Sequence, residues 1–192
     1  MSKTIIHSTA EVSPQATIGE GTRIWHQAQV RERARLGRNC IIGKGVYIDF
    51  DVQIGDNVKL QNGVFAYHGA TIEDGVFLGP GVILTNDKNP RAINPDGSLK
   101  SDADWEVGPI TIKYGASVGT GSIVLPNVTV GRFSLVGAGS VVTRDVPDQA
   151  LVVGVPARQI GWVCTCGRKL AEQREGGHAV WVCPHDGERY TF

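Results

Sequence analysis

The sequence predicts an all-β fold, a parallel β-helix of six-residue repeats, on three observations. Aliphatic residues or alanine occupy every sixth position without a slip, from Ile6, Val12, Ile18, Ile24, Val30, Leu36 and Ile42 through Ile48, Ile54, Leu60, Ala66, Ile72, Leu78 and Leu84. A small or β-branched residue recurs four places after each, as in Ala10, Ala16, Ala28, Cys40, Val46 and Val76. Gly, Asn or Asp follows the aliphatic position in runs such as IGKGV, IGDNV and IEDGV. A sustained period of six belongs to neither an amphipathic helix nor an alternating strand, and a short fixed period is the mark of stacked repeats.

Each part of the repeat has a physical role. The large aliphatic residue fills the inside of a prism whose faces are short strands, and the smaller one packs beside a tight corner. Gly, Asn and Asp supply corner conformations that a Cβ disfavours. Three hexads make one coil of eighteen residues. The pattern resumes at Ile112 and continues through Val118, Val124, Val130, Val136 and Val142. Nearly seven coils result, and at ~4.8 Å per coil they rise roughly 30 Å.

The totals agree with one β-helix plus a small appendage: 192 residues, 41% hydrophobic, hold a real core. Nineteen basic residues balance nineteen acidic ones, so the field that draws proteins to nucleic acid or to an anionic membrane is missing. The start MSKTIIHSTAEV has neither the charge nor the apolar run of a leader, and no apolar segment is long enough to span a bilayer. A soluble cytoplasmic protein is expected. Four cysteines, with Cys40 alone and the others beyond residue 163, fit reduced thiols or a metal site better than a disulfide framework.

Between Leu84 and Ile112 the register breaks into a polar, Pro-rich excursion, residues 85–111, too long for a mere connection. It is expected to reach across a groove and shape a pocket; a tolerated surface insertion is the plainer reading. Residues eighteen apart stack, so Asn86 falls over His68, and Thr85 over Tyr67 over Asp49. An imidazole and an amide about 5 Å apart suit amine acylation. The amine must be uncharged to attack a thioester, and histidine removes a proton near neutrality. A solvated turn is the alternative for His68. His7 and His26 lie outside the column and read as surface or contact residues.

The repeat over residues 6 to about 160 resembles that of the hexapeptide acyltransferase superfamily. That resemblance implies left-handed coiling, a homotrimer, active sites between neighbouring prisms, and acetyl-CoA as cosubstrate. The runs LTNDKNPRA, LQNGV, IEDGVFLGPGV and LVVGVPARQIGWV are most similar to nucleotide-sugar N-acetyltransferases. The best fit is to those acetylating the 3-amino group of UDP-2-acetamido-3-amino-2,3-dideoxyglucuronic acid in lipopolysaccharide biosynthesis. Near relatives act on dTDP-3-amino-3,6-dideoxyhexoses. By resemblance Asn86 orients the amine, Tyr67 and Asp87 border the sugar, and Arg91 meets its carboxylate or diphosphate through a planar fork. Where such enzymes carry glutamate in place of His68, direct attack with the departing sulfur taking the proton is the competing route. On the coenzyme side glycine at positions such as Gly119 lets a ligand chain approach the backbone closely, and the resemblance sets Gly137 and Ala138 along pantetheine and Arg144 and Arg158 on phosphate. Corner glycines and solvated arginines are the plain alternative.

After residue 160 the repeat gives way to VCTCGRKLAEQREGGHAVWVCPHDGERYTF, a ribbon-like module over 161–192. Cys164, Cys166, Cys183 and His185 are the expected ligands of a structural zinc ion, although Asp186 stands where a ribbon's last cysteine would fall. A metal-free cap on the end of the prism is the other reading. Two further function classes stay open. A metal hydrolyase of the γ-carbonic-anhydrase kind needs three converging histidines, and the prism has only His7, His26 and His68. A scaffold without catalysis is the other, because fold alone never establishes activity.

Overall fold

The computed structural model describes residues 3–192, and Met1 and Ser2, part of the start read above for a leader, lie outside the described residues. Three parallel sheets form the faces of a β-solenoid. One begins with Ile5–Ile6, Arg23–Ile24 and Ile41–Ile42, and each strand pairs with the one eighteen residues on, Ile6 with Ile24 and Ile24 with Ile42. The other faces repeat this, with Val12 on Val30 and Ile18 on Leu36.

The core is the sequence pattern made solid. Ile24, Ile42, Ile48, Leu60, Leu78 and Ile112 are completely buried, with Ala28, Cys40, Val52 and Val64 beside them. At the first coil the pattern holds but burial does not. Ile6 is 47% exposed, while Val12 and Ile18 are only partly buried, because no coil lies beneath them.

Most corners of the middle coils turn on a residue three places after the aliphatic position, in the left-handed region. Asn39, Asp51 and Asn57 adopt it there, and so do Arg33 and Phe133. The glycine directly after the aliphatic residue has another purpose. A Cβ on Gly119 would stand 2.5 Å from the Ala138 backbone nitrogen, so glycine lets successive coils close to strand spacing. The residue before the corner can tie coils together: Asp56 accepts the Arg38 N–H of the coil below at 2.7 Å and Asp74 the Asp56 N–H at 2.6 Å.

Two boundaries differ from expectation. Ile110–Ile112 already pairs with Ala70–Ile72, so the excursion ends at Pro109; Ile110 is 1% exposed and fills the core before the hexad pattern becomes visible at Ile112. At the far end Ala150–Val153 lies on Leu135–Val136 and starts an eighth coil, and Arg158–Trp162 folds back antiparallel onto it across residue 160. Beyond this, Ala171–Glu175, His178–Val182 and Arg189–Tyr190 make a separate three-stranded sheet. Trp162 packs against both the main core and the small cluster of Cys164, Leu170 and Cys183. No helix among the described residues is long and apolar enough to cross a membrane.

Candidate functional site

The stacking that the repeat dictates brings Asp49, His68 and Asn86 together. Asp49 is 6% exposed and is the hub. Its Oδ1 accepts from the Arg31 guanidinium, the Tyr47 hydroxyl and the Phe50 N–H at 3.0, 3.0 and 2.9 Å, and its Oδ2 accepts from the His68 N–H at 3.1 Å. A buried carboxylate so fully bonded is a fixed anchor. Burial pushes the Tyr47 phenol above its ordinary value against the pull of Arg31. Arg31, raised by Tyr47 and then by Glu32, stays charged.

His68 is held on the coil above. Its ring stacks on Phe50 with centroids 4.0 Å apart and 15° between planes, and Nδ1 lies 3.0 Å from the Phe50 carbonyl oxygen. A carbonyl only accepts, so Nδ1 carries the proton in this bond, and the neutral imidazole keeps its lone pair on Nε2. Arg31 and Arg33 sit over the same Phe50 ring at 5.1 and 5.7 Å. One coil further on, the Asn86 amide donates from Nδ2 to the His68 carbonyl at 3.2 Å, which leaves Oδ1 as its acceptor end.

The excursion is pinned beside this column. Gly108 donates its N–H to the Asn86 carbonyl at 2.8 Å, and a Cβ on Gly69 would collide with Val107. Asn86, Asp87, Arg91 and Trp105 line one cavity of about 380 Å³, and Asp87, Lys88, Trp105 and Asn127 a neighbouring one of about 540 Å³. Tyr67 and His68 line neither. Tyr67 instead packs beside Tyr47 and Phe65 at 5.6 and 6.2 Å. Asp87 closes a local turn by accepting the Asn89 N–H at 2.8 Å, and Arg91 donates to the Pro90 carbonyl at 3.0 Å.

At the far end of the solenoid, Arg144 and Arg158 line a cavity of about 250 Å³ together with Val142, Pro147 and Ala157. Gly119, Gly137 and Ala138 do not line it. A Cβ at Gly119 or Gly137 would strike Ala138 or Val153 of the next coil, so coil stacking itself demands these glycines.

The C-terminal cluster requires a second correction. Atoms of Cys164, Cys166, Cys183 and Asp186 able to bind a metal all lie within 4.8 Å of one another, and His185 is not among them. The Asp186 Oδ1 accepts the Glu188 N–H at 3.0 Å, and this turn points the aspartate, not its neighbour, at the thiols. His7 and His26 stack at 3.5 Å on the first coils, away from the His68 column.

Sequence reasoning found Asp49, Tyr67, His68 and Asn86 but missed Arg31, Tyr47 and Phe50. The same arithmetic reaches Arg31, one coil below Asp49, and Tyr47 shares a strand face with Asp49.

These features define a hexapeptide-repeat β-solenoid with a polar column at the root of an excursion. Residues 15–49 and 51–86 match the family profile of the bacterial transferase hexapeptide (six repeats), and residues 33–67 that of the hexapeptide repeat of succinyl-transferase. Over 85 residues the chain is 45% identical to the dTDP-3-amino-3,6-dideoxy-alpha-D-galactopyranose 3-N-acetyltransferase of Aneurinibacillus thermoaerophilus, covering 44% of this chain and 42% of that protein. PerB from Caulobacter crescentus, solved with CoA and GDP-perosamine, is similar with a TM-score of 0.53 and 26% identity over 83% of this chain and 58% of that one. A mutant of AntD from Bacillus cereus, solved with dTDP and coenzyme A, shares the fold with a TM-score of 0.57 at 21% identity, over 84% of this chain and 83% of that one. The chain thus spans less than half of the named acetyltransferase and somewhat more than half of PerB.

Proposed function

We propose that the chain is an acetyl-CoA-dependent N-acetyltransferase whose acceptor is the amino group of a nucleotide-linked amino sugar. The observation that carries this is the fixed tautomer of His68: Nδ1 is committed to the Phe50 carbonyl, so Nε2 is the basic atom, beside an amide anchored on the same residue. The amine lone pair attacks the thioester carbonyl carbon, the C–S bond breaks, and coenzyme A leaves as thiolate. Nε2 takes the proton that the amine loses and returns it to the sulfur. Asn86 Oδ1 accepts from the amine and aims its lone pair at the carbonyl.

Arg91, which lines the cavity at the root of the excursion together with Asp87, is the group for a sugar carboxylate or diphosphate, while Tyr67 stands outside that cavity, in the column below Thr85. Arg144 and Arg158 are the pair for coenzyme A phosphates. On the acceptor, the acetyltransferase from Aneurinibacillus thermoaerophilus favours a dTDP-3-amino-3,6-dideoxyhexose. The TNDKNPR run and the Arg91 fork favour the UDP-linked 3-amino uronic acid. A homotrimer fits the exposure of the excursion, where Leu99 and Ile93 are 79% and 54% accessible in the single chain.

The test is release of coenzyme A thiol from acetyl-CoA with the dTDP-3-amino sugar and UDP-2-acetamido-3-amino-2,3-dideoxyglucuronate in parallel, on protein whose mass in solution is measured. Turnover of either supports the activity and the faster one names the sugar. No release with any nucleotide-linked amino sugar from well-folded protein overturns it.

A further inference from the structure

The C-terminal module is a fold too small for its own core. Among the described residues its buried apolar cluster is Cys164, Leu170 and Cys183, edged by Trp162, Trp181 and Tyr190. Both faces of Ala171–Glu175 are exposed. A unit of this size needs a staple beyond hydrophobic burial. Two of the three buried residues are cysteines, which points to sulfur chemistry as that staple.

The geometry fits a metal better than a disulfide. Around one tetrahedral zinc, thiolate sulfurs at ~2.3 Å stand ~3.7 Å apart, and a carboxylate oxygen at ~2.1 Å stands ~3.6 Å from each sulfur. Cys166 Sγ is 3.6 Å from Cys183 Sγ, and Cys164 Sγ is 3.6 Å from Asp186 Oδ2, two opposite edges of such a tetrahedron. A disulfide would bring two sulfurs to ~2.05 Å and leave the third thiol and the carboxylate without a role.

The surroundings are those of a ligand set. The Cys166 N–H points at Cys164 Sγ at 3.4 Å, so that thiolate charge has a backbone donor, while the Tyr190 hydroxyl, 3.3 Å from the same sulfur, donates to Glu188 Oε2 at 2.6 Å. Asp186 is held through Oδ1 by the Glu188 N–H, which frees Oδ2 to bind as a single oxygen. Outer-shell bonds of this kind fix ligands in metal sites.

We propose that Cys164, Cys166, Cys183 and Asp186 hold one zinc ion, three thiolates and one carboxylate, with His185 outside the shell. The ion ties the hairpin Ala171–Val182 and the strand Arg189–Tyr190 to the segment leaving Trp162. With four protein donors and no open position the site is structural.

The full chain, purified without chelator under reducing conditions, tests this by elemental analysis and by exchange with cobalt. The expected result is one zinc per chain, and in the cobalt form the strong visible bands of tetrahedral coordination with thiolate-to-metal charge transfer. Asp186→Ala lowers metal affinity by more than about tenfold. His185→Ala leaves affinity unchanged, and Asp186→Cys keeps the metal while strengthening the charge-transfer band. Because loss of a buried cysteine also removes core packing, the decisive pair is Asp186→Cys against His185→Ala. Metal-free protein that is fully folded, a Cys166–Cys183 disulfide in the reduced preparation, or loss of metal on His185→Ala each overturns the proposal. None of these outcomes depends on acetyl transfer.

Discussion

His68 and Phe50 are joined twice, by ring stacking at 4.0 Å and by the Nδ1 bond to the Phe50 carbonyl at 3.0 Å. The pair fixes both the plane and the tautomer of the imidazole. His68→Ala and His68→Gln are expected to lower kcat by about 10²–10⁴-fold, with thermal stability little changed. If kcat instead stays within a few-fold of the parent, the amine attacks without this base and the thiolate takes the proton directly.

Asp49 supports that pair from below, through the His68 and Phe50 N–H groups. Asp49→Ala leaves the Tyr47 hydroxyl and two backbone donors without an acceptor. The expected loss is about 1–3 kcal/mol in denaturant unfolding, at the low end for the Arg31 contribution, because that side chain is 38% exposed. Activity falls with it. Tyr47→Phe removes one donor and leaves the hub, so its loss of stability is expected to be smaller than that of Asp49→Ala.

Core burial rises along the solenoid, and stability should follow. Leu60 is fully buried among coils on both sides, so Leu60→Ala costs about 2–5 kcal/mol. Ile6 occupies the same place in the repeat but is 47% exposed, and Ile6→Ala is expected to cost under about 1 kcal/mol. Equal losses at the two positions in urea titrations would mean that the first coil is covered in solution.

The contrast between those residues shows what the sequence could and could not say. Period six put Ile6 and Leu60 in one class, and strand pairing confirms it, but a repeat does not reveal which coil is terminal. The same stacking arithmetic placed Asn86 over His68 and Thr85 over Tyr67 correctly. It does not extend into the excursion, where the turn at Asp87 and the return of Val107 against Gly69 depend on contacts with no fixed offset. Asp186 was passed over for the opposite reason. Two adjacent potential ligands differ only in the local turn, and the bond from the Glu188 N–H to the aspartate decides between them.

Corner carboxylates give a pH dependence with a definite sign. The Arg38 side chain, and then its N–H, hold Asp56 below the ordinary carboxylate range, and Arg33 does the same for Asp51. A depressed folded pKa means that the unfolded chain binds the proton more readily, so these bonds stabilise fully above the unfolded value near ~4 and are lost as pH falls through the lower folded values. Thermal midpoints should therefore drop on acidification below about pH 4. Arg38→Ala should flatten part of that slope while changing little near neutrality, where an exposed pair contributes weakly. An identical slope in Arg38→Ala would show that the pair does not persist in solution.

Arg144 and Arg158 share a cavity but hold it differently, since Arg158 also donates from Nη1 to the Ala157 carbonyl at 2.9 Å. Both face solvent, so neither substitution should disturb the fold. If the pair binds coenzyme A phosphates, Arg144→Ala and Arg158→Ala each raise the KM for acetyl-CoA by about tenfold with kcat nearly unchanged, because phosphate binding is equally strong before and during acyl transfer. The KM for the amino sugar stays fixed, and rising salt narrows the gap between parent and variants. A fall in kcat with unaltered KM for acetyl-CoA would instead place the two arginines nearer the reacting carbonyl, and a change confined to the amino-sugar KM would move the coenzyme away from this end of the solenoid.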